Sequence, residues 1–172
     1  MEGERKDDQL DLVDLLSHVC DELMAAWPGR RIELVTSSKL CVLGNAAELR
    51  SAISNLIVNA LKYSEAPVSV RWSDTVVGPE LLVEDQGPGI DSKHIPRLTE
   101  RFYRVDKSRS QATGGTGLGL AIVKHVAVSH DAKLFIDSEL EKGSTFRLVF
   151  PNDRAVSCDV CSTECGRSDA SQ

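Results

Sequence analysis

Asn55, Asn59 and Lys62 stand four and three residues apart in the run from Glu48 to Tyr63, a spacing that stacks two amides and an ammonium along one side of a helix. Amide oxygens are hard, neutral donors suited to Mg²⁺, which usually keeps several waters and substrate phosphates in its shell. The Lys62 ammonium, one turn further on, reaches toward a terminal phosphate. Leu49, Ile53, Leu56 and Ala60 recur at spacings of four, three and four on another side, so the same helix needs a sheet to cover it. Two asparagines alone are also what a solvated helix face carries, and the chemistry is decided by what accompanies them.

Two glycine clusters do. Asp85-Gln86-Gly87-Pro88-Gly89-Ile90 follows the strand that contains Leu81-Leu82-Val83, so a carboxylate ends a strand and two glycines let a flat ligand approach the backbone. A carboxylate facing an exocyclic amine is the expected way to select adenine, although Asp in a tight turn is also commonplace. Gly114-Gly115-Thr116-Gly117-Leu118-Gly119-Leu120 precedes a periodic helix, where free backbone N–H groups make an anion site. Its spacing is not that of a mononucleotide P-loop, and no strand directly precedes it, which excludes a dinucleotide fold.

The elements that must hold these pieces are readable in order. Leu12, Leu15, Leu16, Val19 and Leu23 predict a helix over 11–26, stopped at Pro28-Gly29. His18 falls off its apolar line. Ile32 to Leu34 and Leu40 to Val42 read as two short strands around a polar turn, and the central helix spans 47–63. Val68–Trp72 and Leu81–Val83 form a hairpin turned at Gly78-Pro79 and ending at Asp85. Residues 92–98 read as a short helix, and 105–115 as a mobile loop. Leu118, Ile122 and Val126 share a face of a helix over 117–129, and Ala132–Asp137 and Ser144–Phe150 are two last strands. Three helices against roughly six strands predict an α/β sandwich, one helical layer on one sheet.

Composition narrows the class. With 172 residues, 41% apolar and 27% charged, the chain suits an ordinary globular domain that buries roughly 70% of its unfolded surface. A net charge of −6 argues against nucleic acid as principal partner, since that needs a broad cationic surface. No apolar run long enough for a membrane span and no signal peptide is visible, so a cytoplasmic fragment without membrane contact is expected. Cys20, Cys41, Cys158, Cys161 and Cys165 make an odd set expected to be reduced. Cys158-x-x-Cys161-x-x-x-Cys165 has metal-site spacing but lacks a fourth ligand nearby, so a disordered tail over 152–172 is expected. The corresponding limits are a flexible segment over 1–9 and a folded domain over 10–151.

Taken together, Asn55–Tyr63, Asp85–Ile90, Arg101–Arg104 and Gly115–Leu120 resemble, in order, the N, G1, F and G2 boxes of the catalytic domain of sensor histidine kinases, in the gyrase, Hsp90, kinase and MutL superfamily. The resemblance covers about Leu12 to Pro151, and the run His94–Asp106 looks especially like kinases of the phosphate-regulon type. It implies a two-layer α/β sandwich of the Bergerat ATP-binding type, three helices on a mixed sheet. It implies ATP and Mg²⁺ as cofactors, with Asn59 on the metal, Asn55 supporting it, Lys62 and Tyr63 on phosphate and nucleoside, and Asp85 on the adenine amine. Ile90 would pack on the ring, and Gly87 and Gly89 would shape the pocket. Arg104, Lys107 or Arg109 would contact phosphate from an ATP lid over 105–115, and Gly115, Thr116, Gly117, Leu118 and Gly119 would cradle phosphates. Thr145 would sit behind the adenine site, unless it is a plain strand residue.

Superfamily members that hydrolyse ATP resemble this chain at Asn59 but carry a Glu base where it has Asn55, and an amide cannot take a proton near neutral pH. Poor hydrolysis and transfer of the γ-phosphoryl to another nucleophile follow. None of His18, His94, His125 and His130 has the context of a phosphoacceptor. The resemblance therefore implies a separate dimerisation and phosphoacceptor domain, a response regulator, and a parent protein anchored in the membrane. A chaperone- or topoisomerase-type ATPase fragment and a non-catalytic nucleotide sensor remain open at this point.

Overall fold

The computed structural model describes residues 7–105 and 118–158. Its elements run β1 (Asp8–Asp11), α1 (Leu12–Ala26), β2 (Ile32–Thr36), β3 (Leu40–Gly44), α2 (Ala46–Tyr63), β4 (Val68–Thr75), β5 (Gly78–Asp85), a 3-10 turn at Ile95–Arg97, α3 (Gly119–Ser129), β6 (Lys133–Glu139), β7 (Gly143–Val149), a 3-10 turn at Asn152–Arg154, and β8 (Ala155–Ser157). Side-chain caps set where the first two helices begin. Asp11 accepts from the N–H groups of Val13 and Asp14, and Asn45 accepts from that of Glu48; such a cap contributes about 1 kcal/mol.

Five strands form a mixed sheet in the order β2-β4-β5-β7-β6, with β2 and β4 parallel and the other neighbours antiparallel. Alternation puts Val68, Val70 and Trp72 of β4, Leu81 and Val83 of β5, and Phe146 and Leu148 of β7 on one face, all fully buried. The helices cover that face. Leu49, Ile53, Leu56 and Ala60 of α2 are buried as their spacing predicts, joined by Ala52, Ile57 and Leu61. The result is the expected two-layer α/β sandwich, three helices on a mixed sheet.

Several expectations are corrected. The strands do not all belong to one sheet: β3 lies in a second, antiparallel sheet in the order β1-β3-β8. β1 and β8 make the ordered fold wider than 10–151, with Asp8 paired to Gly44 and Ser157 to Leu40. Residues 8 and 9 are thus strand rather than flexible, and 152–158 are not a disordered tail. Cys41 and Cys158 form a disulfide, against the expectation of reduced thiols. Cys161 and Cys165 lie outside the described residues, among which no cluster of three or more His, Cys, Asp or Glu is placed to hold a metal. In α3 the inward face is Val123, Val126 and Ala127, and Ile122 is 39% exposed. The 92–98 helix is reduced to its 3-10 turn. No helix among the described residues is long and apolar enough to cross a membrane.

Candidate functional site

Two glycines determine how closely the chain returns to α2. A Cβ at Gly87 would sit 2.4 Å from the carbonyl oxygen of Tyr63, the last residue of α2, and one at Gly119 would sit 3.1 Å from Oδ1 of Asn55. The turn after β5 therefore closes on the C-terminal end of α2, and the first residue of α3 closes on its middle. Only glycine permits the first of these approaches without displacing backbone.

The Asn55 amide is oriented by its own helix. Its Nδ2 donates to the Ser51 carbonyl at 2.8 Å, which turns Oδ1 toward Gly119. The N-terminus of α3 has no side-chain cap, since Leu118 occupies the cap position. Its first N–H groups are donors without helical partners, and the helix dipole adds positive potential there. Asn59 and Lys62, both half-buried, continue along α2, and Tyr63 at its end is 49% exposed.

At the other end, Asp85 is a buried carboxylate, 4% exposed. Its Oδ1 accepts from the Gly87 N–H at 2.9 Å. Burial pushes the carboxyl above the usual Asp range; the N–H groups of Gly87 and Ser144 pull it back, neighbouring Glu84 raises it further, and the net shift is upward. The turn is held in place by a second layer. Gly89, at φ +74, packs so tightly on Glu139 that a Cβ would lie 2.1 Å from its carbonyl oxygen. The Ile90 N–H donates to Ser138 Oγ at 2.7 Å; that hydroxyl donates to the Gly143 carbonyl at 3.0 Å and lies 2.8 Å from Ser144 Oγ. Ile90 itself packs partly buried against the core.

Helix α2 is also fixed at its start. The Asn45 N–H donates to Nε2 of buried His130 at 3.0 Å, so Nδ1 carries the proton and donates to the Val126 carbonyl at 2.8 Å. Ser129 Oγ, beside it, donates to Glu48 Oε2 at 3.0 Å. A Cβ at Gly44 would lie 2.5 Å from the His130 ring. The end of α3 thus clamps the beginning of α2, while the beginning of α3 meets α2 at Asn55.

The sequence-predicted residues divide accordingly. Gly119 closes on Asn55, and Gly87 closes on both Tyr63 and Asp85, with Gly89 and Ile90 in the same turn, Asn59 and Lys62 on the same helix, and Leu118 at the α3 cap. Arg104, half-buried, lines a separate hollow of about 320 Å³ with Arg97, Glu100, Arg101, Phe102 and Tyr103. Tyr103 anchors that segment: its hydroxyl hydrogen-bonds the His94 ring, and the Arg97 guanidinium lies 4.4 Å above its ring. Phe102, at φ +63, is 70% exposed. Lys107, Arg109, Gly114, Gly115, Thr116 and Gly117, and with them nearly all of the expected lid, lie outside the described residues.

Thr145 is corrected. Strand alternation places it opposite Glu84 and Asp137 on the outer face of the sheet, away from Asp85. Its neighbour Ser144, 5% exposed and paired with Asp85, is the residue that stands behind the buried carboxylate. The signal was present in the sequence, since Ser144 shares the parity of the core residue Phe146. His130 was also missed, because the group it fixes, the Asn45 N–H, lies 85 residues away.

An uncapped helix N-terminus beside an amide oxygen suits a phosphate chain. A buried carboxylate at a tight turn suits an exocyclic amine. The distance between the two along α2, from Asn55 to Tyr63, is about two helical turns, on the order of 12 Å, which is the span of a nucleoside polyphosphate rather than of a lone anion.

Comparison with known proteins bears on this arrangement. Residues 44–154 match the family described as histidine kinase-, DNA gyrase B- and HSP90-like ATPases. Over 140 residues the chain is 51% identical to the phosphate regulon sensor protein PhoR of Pseudomonas aeruginosa, covering 79% of this chain and 32% of that protein. The chain spans about a third of the length of the curated relatives it matches first. Among solved structures, the mycobacterial sensor histidine kinase MprB superposes with a TM-score of 0.74 at 28% identity, covering 84% of this chain and 97% of that one. Full-length ShkA in complex with AMPPNP also gives 0.74 at 29% identity, covering 92% of this chain and 33% of that one.

Proposed function

The chain belongs to the histidine kinase-, DNA gyrase B- and HSP90-like ATPase family, and from that premise we propose that it is the ATP·Mg²⁺-binding catalytic domain of a sensor histidine kinase. It holds ATP so that the γ-phosphoryl passes to a histidine on a separate dimerisation and phosphoacceptor domain. The single observation that carries this reading is the convergence of two glycine turns on one helix, at Tyr63 and at Asn55.

The adenine end lies at Asp85. The Asp85 carboxylate accepts from the exocyclic amine, and Gly87 and Ser144 hold it by their N–H groups so that it cannot swing away. Ile90 and Gly89 form the wall on which the ring rests. The phosphate end lies between α2 and the N-terminus of α3, where the N–H groups after Leu118 meet oxygens of the triphosphate. Lys62 neutralises part of its charge from α2.

The donor set fits Mg²⁺. Asn55 Oδ1 is turned outward by the bond from Nδ2 to Ser51, and Asn59 presents a second amide one turn further on. Asn59 would hold the ion, with Asn55 in support. Bound there, the ion supplies charge neutralisation to the phosphates. What the chain's own residues do is position: α2 is fixed at its start by His130, approached by Gly119 at its middle and by Gly87 at its end. Asn55 does not take a proton from water, because it offers an amide whose nitrogen is already committed to Ser51. The phosphoryl group is therefore retained for a protein nucleophile.

The membership in the phosphate-regulon type, a response regulator as the final acceptor, and membrane anchorage of a longer parent are further parts of this proposal, supported by the likeness to PhoR. The test is direct. The 172-residue chain is mixed with labelled ATP and a separately made phosphoacceptor domain of a phosphate-regulon kinase. Label appears on that domain's histidine, and free phosphate accumulates far more slowly. Rapid hydrolysis without transfer contradicts the reading, and binding with neither reaction leaves only a nucleotide sensor.

A further inference from the structure

Cys158, near the C-terminal end, is tied to the body of the domain. Cys41, 1% exposed, lies in β3, and Cys158 directly follows β8; their Cα atoms are 5.2 Å apart and their sulfurs are bonded. The register accounts for the contact, since Leu40 pairs with Ser157 and Cys41 with Val156. That Cα separation falls in the range a disulfide requires, so the bond needs no displacement of either strand.

The strap that Cys158 ends, Asn152 to Cys158, runs over the joint that starts α2. Arg154 donates to the Leu43 carbonyl at 3.1 Å, one residue before Gly44, whose place against His130 fixes the α2 cap. The same guanidinium bonds Asp131 at 3.0 Å, directly after His130, and Asp7 at 2.9 Å. One arginine therefore bridges the ends of β3 and α3, and the disulfide fastens the far end of its strap.

We propose that Cys41 and Cys158 form a reversible thiol–disulfide exchange site, taking small-molecule thiols and disulfides as reactants, whose oxidation latches the C-terminal strap over the joint between β3, α2 and α3. Cys158 is partly exposed and Cys41 is not, so exchange begins at the Cys158 sulfur. An incoming thiolate bonds to that sulfur, the Cys41–Cys158 bond breaks, and Cys41 leaves as a thiolate that takes a proton. A second thiolate then displaces Cys158 from the mixed disulfide, giving the free disulfide of the small thiol and two protein thiols. In the reverse direction a small disulfide is the oxidant and accepts the two electrons. Cys20 does not compete: burial, with a smaller contribution from Asp21, pushes its thiol up to about 11, so it carries almost no thiolate at neutral pH.

The closed loop spans 117 residues and includes α2, β5 and α3. Fastening so long a loop raises the melting temperature by on the order of 10 °C. The experiment equilibrates the full chain in glutathione buffers from reducing to oxidising, traps thiols by alkylation and maps the peptides. Melting and the rate of tryptic cleavage after Arg154 are measured at each step. The expected result is a reversible Cys41–Cys158 cross-link, with melting rising and cleavage after Arg154 slowing at least tenfold on oxidation. Cys158→Ser abolishes both changes and keeps the reduced domain's melting temperature, and Cys20→Ser leaves both changes in place. Pairing of Cys158 with Cys161 or Cys165 while Cys41 stays alkylatable overturns the proposal. So does stoichiometric zinc on the thiols, or a cross-link that changes neither melting nor cleavage.

Discussion

Gly119→Ala separates fold from site, because its two effects have opposite signs. The new methyl would stand 3.1 Å from Asn55 Oδ1, a few tenths of an ångström closer than a Cβ normally comes. The atom it meets belongs to a side chain, so the amide gives way. That movement weakens the Nδ2 bond to Ser51, a loss of about 1 kcal/mol. Replacing glycine by alanine at the start of α3 favours the helix by up to about 1 kcal/mol. Stability should therefore change by less than about 1 kcal/mol, a melting shift under about 4 °C. Binding should suffer, since the displaced oxygen is the one that supports the metal, and a charge-assisted contact is worth about 1.5–3 kcal/mol. AMPPNP·Mg²⁺ affinity should fall about 10- to 100-fold, read by titration calorimetry beside a melting curve. Unchanged affinity would refute the placement of α3 against Asn55, as would an affinity lost only because the domain has melted. Gly87→Ala is the contrast: its methyl would meet a backbone carbonyl at 2.4 Å, with no side chain to rotate, so stability itself should drop by about 3 kcal/mol.

Other substitutions test the remaining parts. Asn59→Ala should remove most of the Mg²⁺-dependent share of nucleotide affinity, measured with and without the ion, and leave melting within about 2 °C, since the residue is half-buried and surface-facing substitutions are small. The Asp85 carboxyl is raised by burial, so its protonated form favours the fold. That contribution is full below the ordinary Asp value of 3.8 and is lost as pH rises through the folded value. Relative to Asp85→Asn, the wild type should thus gain melting temperature as pH falls across that interval, and its ATP affinity should weaken over the same interval; parallel curves for the two proteins would contradict this. Asp85→Asn should also lose the preference for adenine over guanine in competition titrations. His130→Ala orphans the Asn45 N–H and should cost about 2–3 kcal/mol in denaturant unfolding, whereas His130→Gln, which keeps an acceptor, should recover a good part of it.

Local signals made α2 legible. Its apolar and polar stripes both follow helical periodicity, and each stripe is buried or presented as that period requires. The turn at Asp85 was readable for a similar reason: a strand pattern ends in Asp and two glycines whose freedom has a use. Contacts that close over long sequence distances were not readable. β1 is short and mostly polar and β8 is only three residues long, and only their pairing to opposite edges of β3, over a hundred residues apart for Cys41 and Cys158, makes them strands. Thr145 shows a different failure, in which a shift of one residue along a strand exchanges the outer face for the inner and moves the role to Ser144. In α3, Ile122 and Val123 are both apolar, and which of them faces the core depends on how α3 packs against α2, not on composition.

The most direct measurement is a titration of the isotope-labelled chain with AMPPNP·Mg²⁺ followed by backbone and side-chain amide NMR. The largest shifts should fall on the Asn55 and Asn59 side-chain amides and on the backbone N–H groups of Gly87, Ser144 and Gly119, saturating together with one binding constant. Shifts confined to the outer sheet face around Thr145, Arg147 and Phe135, or separate constants for the Asp85 and Gly119 ends, would contradict a single nucleotide lying along α2.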